Sequence, residues 1–309
     1  MDKPVFIISL DTEMLWGPAG GKEGLDLCKF MKKNEQQMRD TITTLLNLFK
    51  KHKISATWAI VGHLFLDHCD EDTCLTKVNM SKFGFKKLWY KDPYSNIEKD
   101  PLYYGKDIIE KILSNPIKHE LGYHSFSHVC FPYISREMAE GEIKESKKIE
   151  KEWNIKFSSF IFPINEIAYV DILIENGFKI YRGKDITTIN NKQNLFFNKI
   201  HSGIIKFIAP PVQPRWNNGI WEIQTSMMFC DTQIPQSLIL RGKLGLDRTI
   251  KEKKIFHIWL HPWNLIYFHR LKDDLEKMLK YISKRRDEGK IEIMTMNDLA
   301  EYLNSNYKM

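Results

Sequence analysis

The sequence predicts an α/β fold, most simply a barrel, from three observations. Short apolar runs rich in Val, Ile and Phe alternate with stretches of helical periodicity over most of the chain. No linker, internal repeat or low-complexity tract interrupts that alternation. The candidate functional residues Asp11, His124, Pro163 and His261 each follow directly on such a run. Active sites of α/β barrels collect at the C-terminal ends of their strands.

The elements follow in order. Val5 to Leu10 is uniformly apolar apart from Ser9 and reads as a strand buried on both faces. Residues 34–51 carry Met38, Ile42, Leu45, Leu46 and Phe49 at helical spacing, with lysines gathered at the C-terminal end. Ile54 to Gly62 is a second strand and completes a βαβ unit. Residues 67–104 read as an irregular insertion within a single 1–309 domain. A helix at 105–114, a strand into His124, a charged helix at 136–152 and a strand from Phe157 to Pro163 come next. A helix at 168–176 ends at Gly177 as its C-cap, and Phe178 to Tyr181 is a strand. Residues 186–225, with Pro210, Pro211 and Pro214, give no clear period. The remainder reads as a helix at 235–252, a strand from Ile255 to Leu260, a helix at 269–288, a strand from Ile291 to Met294, and a final helix capped by Asn297.

Composition narrows the function classes. The chain has 309 residues, 43% hydrophobic and 28% charged, which is ordinary for a globular protein. Its net charge of +7 comes from scattered lysines, and the densest basic run, Lys284-Arg285-Arg286, shares a helix with Asp273, Asp274 and Glu276. A solvated helix face explains that run, so nucleic acid is not an expected partner. No apolar stretch is long enough for a membrane helix, and no secretion signal is visible at the N-terminus. The five cysteines are scattered without CxxC spacing, as expected in a reducing cytoplasm, and Cys130 reads as a small buried hydrophobe.

The chemistry lies in three short strings. Asp11-Thr12-Glu13 ends the first strand, and residues at i and i+2 of extended chain point the same way, so two carboxylates can face one pocket. His124-Ser125-Phe126-Ser127-His128 places two histidines at i and i+4, which on a helical turn share a face and suit a metal. No Glu adjoins the first histidine as it does in zincins, so the base of a metal site must come from elsewhere, and Asp11 is available. Glu120 is a weaker ligand candidate. His261 closes a strand and carries an imidazole suited to general acid work, whereas His257 reads as structural. The inventory suits metal-assisted hydrolysis.

The order of these strings resembles the NodB-like polysaccharide deacetylases (carbohydrate esterase family 4). The likeness rests on Asp11-Thr12-Glu13, Ala56-Thr57-Trp58, the HxxxH string, Phe162-Pro163-Ile164-Asn165, Trp221-Glu222-Ile223-Gln224 and Leu260-His261-Pro262, and spans residues 5 to 300. It implies a distorted (β/α)7 barrel. It implies that Asp11 is the catalytic base and His261 the general acid, and that Glu13, His124 and His128 hold one divalent metal ion. Zn²⁺ is the first expectation, with Co²⁺, Ni²⁺ or Mn²⁺ as options. Pro163, Asn165 and Trp221 would line the substrate groove. One departure stands out: many members carry an arginine beside the third-motif proline that steers the catalytic aspartate, and here that place holds Ile164. Arg182 and Arg215 are the candidates to replace it in space.

The expected activity is therefore removal of an N-acetyl group from an amino sugar in a glycan, glycolipid or nucleotide-sugar intermediate, by a cytoplasmic enzyme that could form homo-oligomers. The alternatives are a metal-independent amidohydrolase of the allantoinase type and a non-catalytic carbohydrate-binding derivative of the fold. Aromatic residues at 84–104 and 213–221 suit either a sugar-stacking surface or a core or oligomer interface.

Overall fold

The computed structural model describes residues 1–18, 22–71, 92–185, 209–230 and 237–307. Its strands are β1 (Val5–Thr12), β2 (Thr57–Ile60), β3 (Glu120–Tyr123), β4 (Ser159–Ile161), β5 (Ile180–Asp185), β6 (Arg215–Asn217), β7 (Ile220–Thr225), β8 (Met227–Met228), β9 (Ile255–Leu260) and β10 (Glu292–Ile293). The helices are α1 (Lys22–Lys33), α2 (Glu35–His52), α3 (Lys106–Leu113), α4 (Arg136–Trp153), α5 (Val170–Glu175), α6 (Ser237–Glu252), α7 (Asn264–Tyr267), α8 (Leu271–Asp287) and α9 (Met296–Asn306). Most of the expected helices and strands are present within two or three residues of their expected ends. Of the two irregular stretches, residues 72–91 and 186–208 lie outside the described residues, and with them Phe85, Trp89 and Tyr90.

The strands run in the order β7-β5-β4-β3-β2-β1-β9-β8, all neighbours parallel. β7 and β8 are separated by one residue, Ser226, whose N–H donates to the His257 carbonyl at 2.7 Å. One staggered segment therefore lies against β5 on one side and β9 on the other, and this closes the sheet into a ring. Taking β7–β8 as one strand, the ring consists of β1, β2, β3, β4, β5, β7–β8 and β9, the (β/α)7 arrangement expected. β6 is an antiparallel extension on β7, and β10 pairs with the start of β1.

Alternation along the strands sorts side chains onto two faces. On β1, Phe6, Ile8 and Leu10 join the large core beneath the helices, with Met38, Ile42, Leu45 and Phe49 of α2. Val5 and Ile7 point the other way and join Ala59, Ile161, Ile180, Ile223 and Ile255, which Met296, Leu299 and Leu303 of α9 seal from below. The ring interior is thus a packed core at its lower end. The same alternation carries Ser9 and Asp11 of β1, Arg182 of β5 and His257, Trp259 and His261 of β9 onto the inner face above that apolar layer.

The final helix corrects one expectation. Its N-cap is Thr295, not Asn297: Thr295 Oγ1 accepts from the Asp298 N–H at 3.1 Å while the Asp298 carboxylate accepts from the Thr295 N–H at 3.0 Å. That reciprocal pair satisfies two otherwise orphaned donors. Asn297 lies inside the first turn, where its N–H donates to Glu120 Oε2 at 2.9 Å.

Candidate metal and active site

At the upper end of the ring, β1 and β3 bring Glu13, His124 and His128 together. Glu13 Oε1 lies 3.0 Å from Nε2 of both histidines. All three side chains are buried. The histidines do not share a helix face as their spacing implied. They sit on a loop in which Ser125 and His128 have φ of +56° and +58°, and these two left-handed residues turn both rings inward. α4 holds that loop from behind. Its buried Glu142 accepts from the N–H groups of Phe126 and Ser127 at 2.8 and 2.9 Å and from the Ser127 hydroxyl. Glu142 went unnoticed in the sequence, although a carboxylate between Ala139 and Ile143 on the apolar stripe of a helix was its signal.

The donor set fits a divalent cation. His124 Nδ1 faces the Ile161 carbonyl at 2.7 Å, and a carbonyl only accepts, so the proton belongs on Nδ1. The Nε2 lone pair then points at the Glu13 carboxylate, and a cation between them converts a lone-pair clash into coordination. Gly17 shapes the same cradle. A Cβ there would fall 1.7 Å from Glu13 Oε2, so only glycine lets the carboxylate fold back under its own strand end. Burial raises the Glu13 pKa, but the surrounding His261, His128 and His124 outweigh it and hold the group well below the usual range.

Asp11 lies one step down the same strand face. Arg182 grips it with two parallel bonds, Nη1 to Oδ1 at 2.5 Å and Nη2 to Oδ2 at 2.6 Å. Burial pushes the Asp11 pKa up, but the guanidinium outweighs it, and the net direction is down. Arg182 is almost wholly buried, lies over the Trp259 ring at 4.6 Å and also donates to Asn165 Oδ1 at 2.9 Å and Ser9 Oγ at 3.2 Å. Ser9 in turn donates to His257 Nε2 at 2.9 Å, and His257 Nδ1 donates to the Gln224 carbonyl at 3.2 Å. Burial and the nearby Arg182 push the His257 pKa down to about 3, so this imidazole is a neutral structural link. The guanidinium missing beside Pro163 is therefore supplied from β5. Ile164 is 41% exposed, and Arg215 is on β6, away from the site.

His261 closes the group, its Nε2 3.5 Å from Glu13 Oε1. Burial lowers its pKa, yet Glu13 and Asp11 more than compensate, and the net direction is up. Its ring stacks on Trp263 at 4.9 Å, and Tyr267, 48% exposed, meets Trp263 edge-on at 6.1 Å. Pro163 is buried in the turn after β4, and Asn165 spends its side-chain oxygen on Arg182. Trp221 is not brought to this cluster. It is the second residue of β7, at the opposite end of the ring, where its Nε1 donates to Asn304 Oδ1 at 2.9 Å. Glu120, at the start of β3, is likewise at the lower end and bonds to Thr57. Cys130 is fully buried and its thiol is pushed up to about 11 by burial, as an inert core residue requires.

Comparison with known proteins points to the same fold. The family model described as polysaccharide deacetylase matches residues 34–169, the segment with both histidines and the Pro163 turn. No curated protein matches the sequence. The fold resembles a polysaccharide deacetylase structure from Mycobacterium smegmatis at a TM-score of 0.64 and 12% identity, covering 97% of this chain and 90% of that one. A second from Pseudomonas aeruginosa PAO1 gives 0.62 and 11%, covering 99% and 92%. An allantoinase gives 0.64 and 11%, covering 98% and 91%. At these identities the likeness is one of fold. The matched segment is that of the polysaccharide deacetylase model, and the closed seven-stranded ring is the fold these structures share.

Proposed function

We propose that the protein is a hydrolase that removes an N-acetyl group from an amino sugar, using a divalent metal held by Glu13, His124 and His128. The observation that carries the reading is the convergence of Glu13 Oε1 on two imidazole nitrogens at 3.0 Å, with an aspartate clamped beside them. When bound, a metal such as Zn²⁺ supplies a polarised carbonyl and a water of lowered pKa. The residues supply the rest. Asp11, kept ionised and oriented by Arg182, accepts the proton of the attacking water. His261, on the far side of Glu13, donates a proton to the departing amine. The products are acetate and a free amino sugar. Trp263 and Tyr267 form an aromatic rim beside His261, a surface suited to the apolar face of a sugar ring.

The test is metal analysis of the purified protein beside acetate release from N-acetylated sugars. Asp11→Asn is expected to retain its metal and to lose about 10²–10⁴ in rate. Chelation is expected to abolish release, and added Zn²⁺ or Co²⁺ to restore it. Amide hydrolysis that proceeds unchanged in chelator would instead support a metal-independent amidohydrolase.

A further inference from the structure

A second set of metal-ligating atoms lies outside this site and takes no part in the chemistry above. His63 is in the short turn Gly62–Phe65 that follows β2, Cys69 is six residues further on, and Asp92 returns to both of them. His63 Nε2 is 3.3 Å from Cys69 Sγ and 3.2 Å from Asp92 Oδ2, and Sγ is 3.3 Å from that same oxygen. Nitrogen, sulfur and oxygen thus form a near-equilateral triangle. Tetrahedral zinc with ligands at about 2.0–2.3 Å requires ligand–ligand edges of about 3.3–3.6 Å. Both His63 and Asp92 side chains are essentially inaccessible, at 0% and 1% exposure.

The hydrogen bonds behind the ligands set the required protonation. His63 Nδ1 faces the Tyr103 carbonyl at 3.1 Å, which places its proton there and turns the Nε2 lone pair toward the sulfur and the carboxylate. Asp92 Oδ1 accepts from the Tyr94 N–H at 2.9 Å, and Oδ2 is the oxygen turned to the cluster. A nucleophilic Cys–His–Asp relay is a different arrangement. It needs sulfur on one ring nitrogen and the carboxylate on the other. Here sulfur and carboxylate crowd the same nitrogen, which is the pattern of ligands round an ion.

We propose that His63, Cys69 as thiolate and Asp92 bind a second divalent metal, most suitably zinc, in a structural role. The ion would pin the 92–104 segment to the upper end of β2. It would also stiffen the first site, because Trp16, three residues after Glu13, packs on the His63 ring at 4.4 Å and donates Nε1 to the same Tyr103 carbonyl at 3.1 Å.

Cobalt loading of the intact protein tests this independently of the proposed activity. The Glu13, His124 and His128 set contains no sulfur, so a thiolate-to-cobalt charge-transfer band in the near ultraviolet can come only from a cysteine site. The wild type is expected to show that band. The band should survive in His128→Ala and vanish in Cys69→Ser, and bound metal should drop from two equivalents to one in each variant. Absence of the band from the wild type would overturn the proposal without recourse to any variant. A band that persists in folded Cys69→Ser would do the same.

Discussion

Arg182 is the residue on which the geometry of Asp11 depends. It is buried, ion-paired to a buried carboxylate and surrounded by Ser9, Asn165 and Trp259. Removing one partner of such a pair leaves an uncompensated charge, at a cost of about 3–5 kcal/mol. Arg182→Met is therefore expected to lower stability by that order in urea unfolding and to reduce turnover about 100-fold or more. Arg182→Lys keeps the charge but not the planar fork, and should recover stability better than rate. Wild-type turnover in Arg182→Met would show that Asp11 does not need its clamp. Sequence reasoning could read the gap at Ile164 and name Arg182 as a substitute, but not choose between it and Arg215. The choice depends on which strand face each occupies. Asn165 shows the same limit: its position in the third motif was legible, its role as an acceptor for Arg182 was not.

At the scale of elements, the histidine loop depends on α4. Glu142 accepts from two backbone N–H groups and a hydroxyl of that loop, and so fixes the approach of both imidazoles. Groups one step behind metal ligands typically contribute 10–100-fold to metal affinity. Glu142→Gln, which is close in shape but neutral and supplies only one acceptor oxygen, is expected to weaken zinc binding by about 10-fold or more while leaving the helical circular dichroism unchanged. Titration against a competing chelator measures this, and unchanged affinity would assign Glu142 to packing alone. The helices themselves were legible because a 3.6-residue period survives in a single sequence, as in α2 with Met38, Ile42, Leu45 and Phe49. β6 to β8 were not, because strands of two to six residues with a break between them carry too short a pattern. For His124 and His128 the i, i+4 spacing suited a helical turn, yet a loop with two left-handed residues brings the same two rings together, and spacing alone does not tell the two apart.

For the molecule as a whole, acid stability has an identifiable contributor. His119 packs against Phe49 and Trp58, its Nδ1 accepts from the Ala56 N–H at 3.2 Å, and burial pushes its pKa down from 6.5 to about 4. The folded state resists a proton that the unfolded state takes up below about pH 6.5. Stability should therefore fall as pH drops from about 6.5 to about 4, by at most about 1.4 kcal/mol per pH unit from this group. His119→Gln, which keeps an acceptor for Ala56, should flatten that slope in urea midpoints measured across the window. An identical slope in the variant would remove His119 from the account. Among the described residues, no helix is long and apolar enough to cross a membrane.

β1 holds a last lesson in its alternation. Phe6, Ile8 and Leu10 serve the helical shell, while Ser9 and Asp11 serve the chemistry, and neighbours in the chain never share a duty. A strand built this way carries two separate messages on one backbone. The outer message can be rewritten by any set of side chains that fills the same volume, and the inner one stays untouched. The ring can therefore tolerate wide change in its outer residues, and structures only 11–12% identical to this chain have a similar fold.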